Sequence, residues 1–461
     1  IKHGTVEGLV GALGAGAGVT ASEPRAIFSS HPARIENSLI KSDVRAQAPK
    51  LVEKPSLAIL EVAGRPMKAV GIDVFPNVGQ SKITLNAMAP LLVGVDPANP
   101  LGSSSRPHWQ AFERDLVAAK KLGIEGISTD VWWGMIEPRP GKFDWRYYDH
   151  LSTTIQKHGL KWVPILSLHQ AGGNVGDNVN IPIPLWVWNK AGSRVPSRNP
   201  DAVKFVSEQG NKSHEYVSYW GTPYIIDRKA NVMKEFQSHF AGKAHSISEL
   251  NISLGTAGEI RYPSYNSHDQ GSGYPTRGAL QAYSELAKAS FRNYSIKKYG
   301  SVEAVKEAWG PEFKDGIGPP REPQSFFDQG KHLNTRYGRD FFDWYSDSLL
   351  NHGRLMLGTA VDVFGAKGAP FAGIDIGAKM PGVHWRVGSK EGDQIVLGDR
   401  LAELSAGLIR TSRGDYGSDA MGRGYRPLMQ MFAEVQAKSP YSRIVPHFTA
   451  LEMMDGHEGP T

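Results

Sequence analysis

The sequence predicts an α/β fold in which helices cover a parallel sheet. Three observations predict it. Short apolar strands alternate with amphipathic helices, several helices end in Gly before the next strand, and polar residues collect just after the strands. Lys82 opens the pattern, with a strand from Ile83 running to Met88. Trp109, Phe112, Leu116 and Ala119 then fall at helical spacing within 107–122, with Pro107 in the first turn and Gly123 at the C′ position. Ile124–Trp132 is the second strand, and Asp144 is the expected N-cap of a helix over 145–158 that Gly159 ends. Lys161–Leu168 is the third strand.

The rhythm continues along the chain. Helices are expected over 233–245, 277–299, 338–364 and 425–438, and a short one is capped by Ser301. Strands four to six are expected over 249–254, 372–378 and 444–451. About six βα units are therefore visible, which fits a (β/α)8 TIM-type barrel with an α/β architecture. Residues 1–80 read as a partly irregular N-terminal extension, and 81–461 as the barrel. Val6–Ala21 is small and weakly apolar, and reads as a flexible or surface-packed leader, with a signal-peptide remnant as the alternative. Secretion is slightly favoured over a cytoplasmic location.

Composition excludes several chemistries. The 461 residues carry 52 Lys+Arg against 46 Asp+Glu, a net charge of +6, and 40% are hydrophobic, which argues against disorder. Cys is absent, so thiolate metal sites, iron–sulfur clusters and a Cys nucleophile are excluded. The basic residues are spread thinly, so charge gives no argument for nucleic acid. No long apolar run reads as a membrane span. HExxH, GxSxG, Walker and dinucleotide motifs are missing, so neither a metal nor an organic cofactor is expected.

What remains at the strand ends is Asp130, His169 with Gln170, Glu259, Lys379, and Thr449 with Glu452. In barrels of this kind catalytic groups come from that face. Carboxylates beside aromatic residues suit sugars, and glycoside hydrolysis needs one carboxyl as acid and a second as base or nucleophile. Trp132 and Trp133 are read as barrel packing, with one of them a possible sugar platform. The Asn251-Ile-Ser253 sequon lies in a strand and is discounted.

Five stretches are more specific: TDVWWG from Thr129, HQAGGNVGDNVNIPIP from His169, GTAGEIRYPSY from Gly255, GAKMPGVHW from Gly377 and FTALEM from Phe448. With these, residues 82–453 closely resemble the beta-amylase family. The resemblance implies an inverting glycoside hydrolase on a (β/α)8 barrel that releases maltose from the non-reducing ends of starch. It implies that Glu259 is the general acid, and that Asp130, His169, Lys379 and His384 contact sugar. It implies that Asp177 lies in a mobile flap, and that Thr449 moves during the cycle. Gly172, Gly173 and Gly176 suit such a lid.

The chain departs from the family pattern. Ala171 and Ala450 stand where Cys is usual, with little effect expected. Thr256 stands where Pro is usual, which is expected to loosen the turn presenting Glu259. The family's general base lies in a Gly-Glu-Asn-Ala-Leu stretch after FTxLEM, and these 461 residues contain no such stretch. The chain is therefore expected to be a truncated form, lacking strands seven and eight. Glu452 is the candidate for a supporting residue or a substitute base. The rival reading is a non-catalytic glucan-binding, regulatory or structural paralogue.

Overall fold

The computed structural model describes residues 84–172, 179–273, 276–382, 388–391, 394–397, 400–412 and 426–449, together with Thr5–Val6. The expectations for the rest of the N-terminal extension lie outside the described residues. One compact unit comprises Ile1–Ala12 and Lys82–Thr461.

Its centre is a parallel sheet of β1 (Asn86–Met88), β2 (Gly126–Trp132), β3 (Lys161–Ser167), β4 (Glu249–Ile252), β5 (Asp375–Met380) and β6 (Ile444–Phe448). The strands lie side by side in chain order, and every neighbouring pair is parallel. That sequential order is the arrangement of six βα units of a TIM-type barrel. Thr5–Val6 pairs in parallel with β1 on the other side.

Each of the later strands is preceded by a helix. α1 (Arg106–Lys121), α2 (Arg146–Lys157), α3 (Ile226–Phe240), α5 (Arg336–Phe364) and α6 (Arg426–Gln436) play that part, and α4 (Glu285–Tyr299) lies in the long β4–β5 connection. The apolar positions Trp109, Phe112, Leu116 and Ala119 are all buried, so the spacing seen in the sequence is the face α1 turns inward. Gly123, Gly159 and Gly300 adopt φ of +84°, +69° and +96°, a left-handed conformation that ends each helix at low cost.

Three expectations are corrected. The N-cap position of α2 is Trp145, one residue later than expected. The Asp144 carboxylate still accepts from the Arg146 amide, the first of the helix, at 3.1 Å, and also from the Arg146 guanidinium. α4 starts at Glu285 rather than Arg277, because Ser284 accepts from the Ala287 amide while Arg277 is held in a two-pronged pair with Glu208, at 2.8 and 2.6 Å. α3 begins seven residues earlier than expected, and a 3-10 turn over Ala241–Ser246 follows it.

The core lies between the sheet and this helical layer. Trp162 of β3 is fully buried, and its indole donates to Thr129 of β2 at 2.8 Å. α5 has 29 residues, about 44 Å at 1.5 Å per residue, and carries a row of aromatic rings into the core. Tyr345 on that row stacks on Tyr262 at 3.9 Å. Tyr262 belongs to the loop after β4, so the helix layer holds that loop rigidly.

Candidate active site

The loops that leave the C-terminal ends of the strands build the site. Glu259 follows β4 on a tight turn. Gly255 to Glu259 is closed by bonds from the Gly258 amide to Gly255 O and from the Glu259 amide to Thr256 O, both 3.1 Å. Ala257 and Gly258 take φ of +53° and +81° within it. A side chain at Gly258 would put its Cβ 3.2 Å from the His169 imidazole, so glycine lets the turn lie against that ring. The turn is intact with Thr256 in place. The cost of Thr256 shows elsewhere, in a fully buried hydroxyl with no partner among the described residues.

Glu259 then bridges to Lys379 of β5, and the Ile260 amide donates to Lys379 O at 3.0 Å. Ile260 points into the core, while Glu259 and Arg261 meet on the opposite side. Arg261 Nε donates to Glu259 Oε2 at 2.7 Å. Thr449, just after β6, places its hydroxyl 2.5 Å from Glu259 Oε1, and its amide donates to Met380 O of β5 at 3.0 Å. Three neighbouring strand ends thus meet at one carboxyl group.

The other side of the site comes from β2 and β3. Asp130 is buried in β2 and accepts from Ser167 of β3 at 2.6 Å. His169, two residues after β3, packs edge-on against Trp132 with centroids 5.1 Å apart. Burial, and then the positive charge of Lys379, push the imidazole down to about 3, so it is neutral at ordinary pH. Its Nδ1 is buried and has no partner among the described residues. A buried nitrogen in that state is set to accept or donate one bond to an incoming hydroxyl.

Asp130, His169, Glu259, Lys379 and Thr449 therefore all lie at the C-terminal ends of adjacent strands. Asp177, His384 and Glu452 lie outside the described residues. Trp132 and Trp133 are buried, with their indoles donating to Leu91 O and the Glu137 carboxylate, so both are packing residues. Asn251 is buried and donates to Glu249. No group of three His, Asp or Glu side chains among the described residues is arranged to hold a metal ion.

Sequence reasoning missed Ser167 and assigned no functional role to Arg261. A lone Ser closing the apolar run KWVPILS was the signal for the first. The i, i+2 spacing of Glu259 and Arg261 after a strand was the signal for the second.

A carboxyl group, a neutral imidazole, an amine and hydroxyls gathered at the C-terminal strand ends of a parallel α/β sheet form a set able to bind a hydroxyl-rich ligand and exchange a proton with it. The comparisons with known proteins specify it further. Residues 89–461 match the family described as Glycosyl hydrolase family 14, and the chain belongs to that family. It is 42% identical over 281 residues to a thermophilic beta-amylase of Thermoanaerobacterium thermosulfurigenes, covering 60% of this chain and 48% of the relative. It is 33% identical over 364 residues to the chloroplastic beta-amylase 1 of Arabidopsis thaliana, covering 76% and 56%. The crystal structure of the beta-amylase catalytic domain from Paenibacillus polymyxa superposes with a TM-score of 0.65 at 32% identity, covering 82% of this chain and 79% of that one. The chain spans about half the length of the curated relatives it matches.

Proposed function

We propose that the protein is a beta-amylase, which hydrolyses α-1,4-glucosidic bonds at the non-reducing ends of starch-type glucans and releases maltose with inversion. The observation that carries this reading is the convergence of Thr449 and Arg261 on the Glu259 carboxyl, on a turn that lies against the His169 imidazole, whose Nδ1 has no partner among the described residues. Glu259 is the proton donor to the glycosidic oxygen. Asp130, His169 and Lys379 hold the hydroxyls of the terminal sugars, and Asp177 and His384 belong to the same set. Inversion also needs a carboxylate that takes the proton of an attacking water on the far side of the ring, roughly 6.5–9.5 Å from the acid. Among the sequence candidates for that role or its support, Glu452 is the one we retain.

The test is Glu259→Gln in the full-length protein, assayed for maltose release from starch. General acid catalysis contributes about 10²–10⁴-fold, so kcat falls by that factor while maltose affinity changes little. A loss of only a few-fold sinks the assignment. A parent protein that binds maltose and never turns starch over favours the non-catalytic paralogue instead.

A further inference from the structure

The two oxygens of the Glu259 carboxyl have different neighbours, and this assigns them different tasks. Oε2 faces the Arg261 guanidinium at 2.7 Å, with the two side chains only 16% and 8% exposed. Arg261 is itself pinned, because the Tyr219 hydroxyl donates to its main-chain oxygen at 2.5 Å. The Tyr219 ring is fixed in turn by stacking on His352 at 4.3 Å and by an edge contact with Phe205 at 5.0 Å.

Among the described residues Oε1 has only Thr449. The Thr449 hydroxyl lies 2.5 Å from Oε1 and 3.2 Å from Met380 O. A hydroxyl carries one proton and cannot donate to both. The shorter contact is the one to Oε1, so the hydroxyl meets that oxygen rather than the Met380 carbonyl. The guanidinium, which has no lone pair to offer, can only face the unprotonated oxygen.

We propose that Arg261 is a positioning residue for the general acid: it fixes Oε2 and leaves Oε1, the oxygen that meets Thr449, as the one that delivers the proton. The proposal rests on the glycosidase reading above. In the reaction the Oε1–H bond breaks as the proton passes to the glycosidic oxygen. The bond from that oxygen to the anomeric carbon breaks, and its electron pair leaves with the oxygen. Water adds to the anomeric carbon, and its proton goes to the second carboxylate that inversion requires. The carboxylate left on Glu259 is held by Arg261.

Leaving-group dependence tests this in the full-length protein. A malto-oligosaccharide needs its leaving oxygen protonated, whereas the fluoride of α-maltosyl fluoride does not. Arg261→Met is expected to lower kcat on maltopentaose about 10²-fold with KM nearly unchanged, and to lower turnover of the fluoride less than about fivefold. Arg261→Lys, which keeps a cation, recovers about tenfold of the loss. Tyr219→Phe, which frees the Arg261 carbonyl, gives the same pattern with a loss of about fivefold, and decides the matter if the methionine variant does not fold. Equal losses on both substrates, or no loss on either, overturn the proposal. A parent protein inactive on both overturns the glycosidase reading itself, and the proposal with it.

Discussion

Lys229 on α3 is fully buried, a setting in which lysine is rarely found. Its amine meets the hydroxyls of Tyr216 at 3.0 Å and Thr222 at 3.2 Å, and lies over the Tyr216 ring at 4.1 Å. No carboxylate is paired with it among the described residues. Burial holds the amine well below the usual lysine value. In the unfolded chain it titrates at its ordinary value near 10.5. Between the folded and unfolded values the unfolded chain binds one more proton than the folded one. Stability therefore rises with pH across that window, at about 1.4 kcal/mol per pH unit for one proton. Lys229→Met keeps an unbranched side chain and removes this proton. Both hydroxyls retain other acceptors, Ser253 O for Tyr216 and Ser218 O for Thr222. The variant is expected to be more stable near neutral pH by about 1–4 kcal/mol, a part of the cost of deprotonating the amine below its ordinary value, which runs at about 1.4 kcal/mol per pH unit. Its stability should also rise less steeply with pH, by about 1.4 kcal/mol per unit. Urea titrations followed by the fluorescence of the 11 tryptophans measure both quantities. They belong between about pH 7 and 9, above the titration of unfolded histidine, because burial also depresses His352. A difference between parent and variant that stays constant across that range would refute the reasoning, since it would mean that Lys229 keeps its proton in the fold.

Two further outcomes follow from the site. Thr256→Val replaces a buried, unpartnered hydroxyl by a methyl group of the same shape, and is expected to raise stability by about 1–2 kcal/mol, read as an increase in Tm, with the starch rate preserved. His169, depressed to about 3 by burial first and Lys379 second, should show no imidazole titration by NMR between about pH 5 and 8, so that maltose affinity carries no His169 step in that range. A His169 resonance that titrates near the free value would show that the ring is open to water.

Much of the sheet was legible along the chain because strands and helices carry their periods locally. Trp109, Phe112, Leu116 and Ala119 declare the inner face of α1 by spacing alone, and Gly123 and Gly159 end their helices for a backbone reason. The boundaries that failed did so through long-range contacts. The start of α4 was misplaced because Glu208, 69 residues away, holds Arg277 outside the helix.

For the site, the sequence determined which residues stand at strand ends: Asp130, His169, Glu259, Lys379 and Thr449. Side-chain types, strand positions and motif spacing are all properties of the chain read in order. What those residues do to one another is decided only when the strands lie side by side. Glu259 and Thr449 are 190 residues apart, and only the β5–β6 register brings the hydroxyl to the carboxyl. The neutrality of His169 likewise needs burial beneath Trp132 and the nearness of Lys379, which come from β2 and β5. Desolvation and charge act through space over a few ångströms, and a linear sequence holds no measure of that distance.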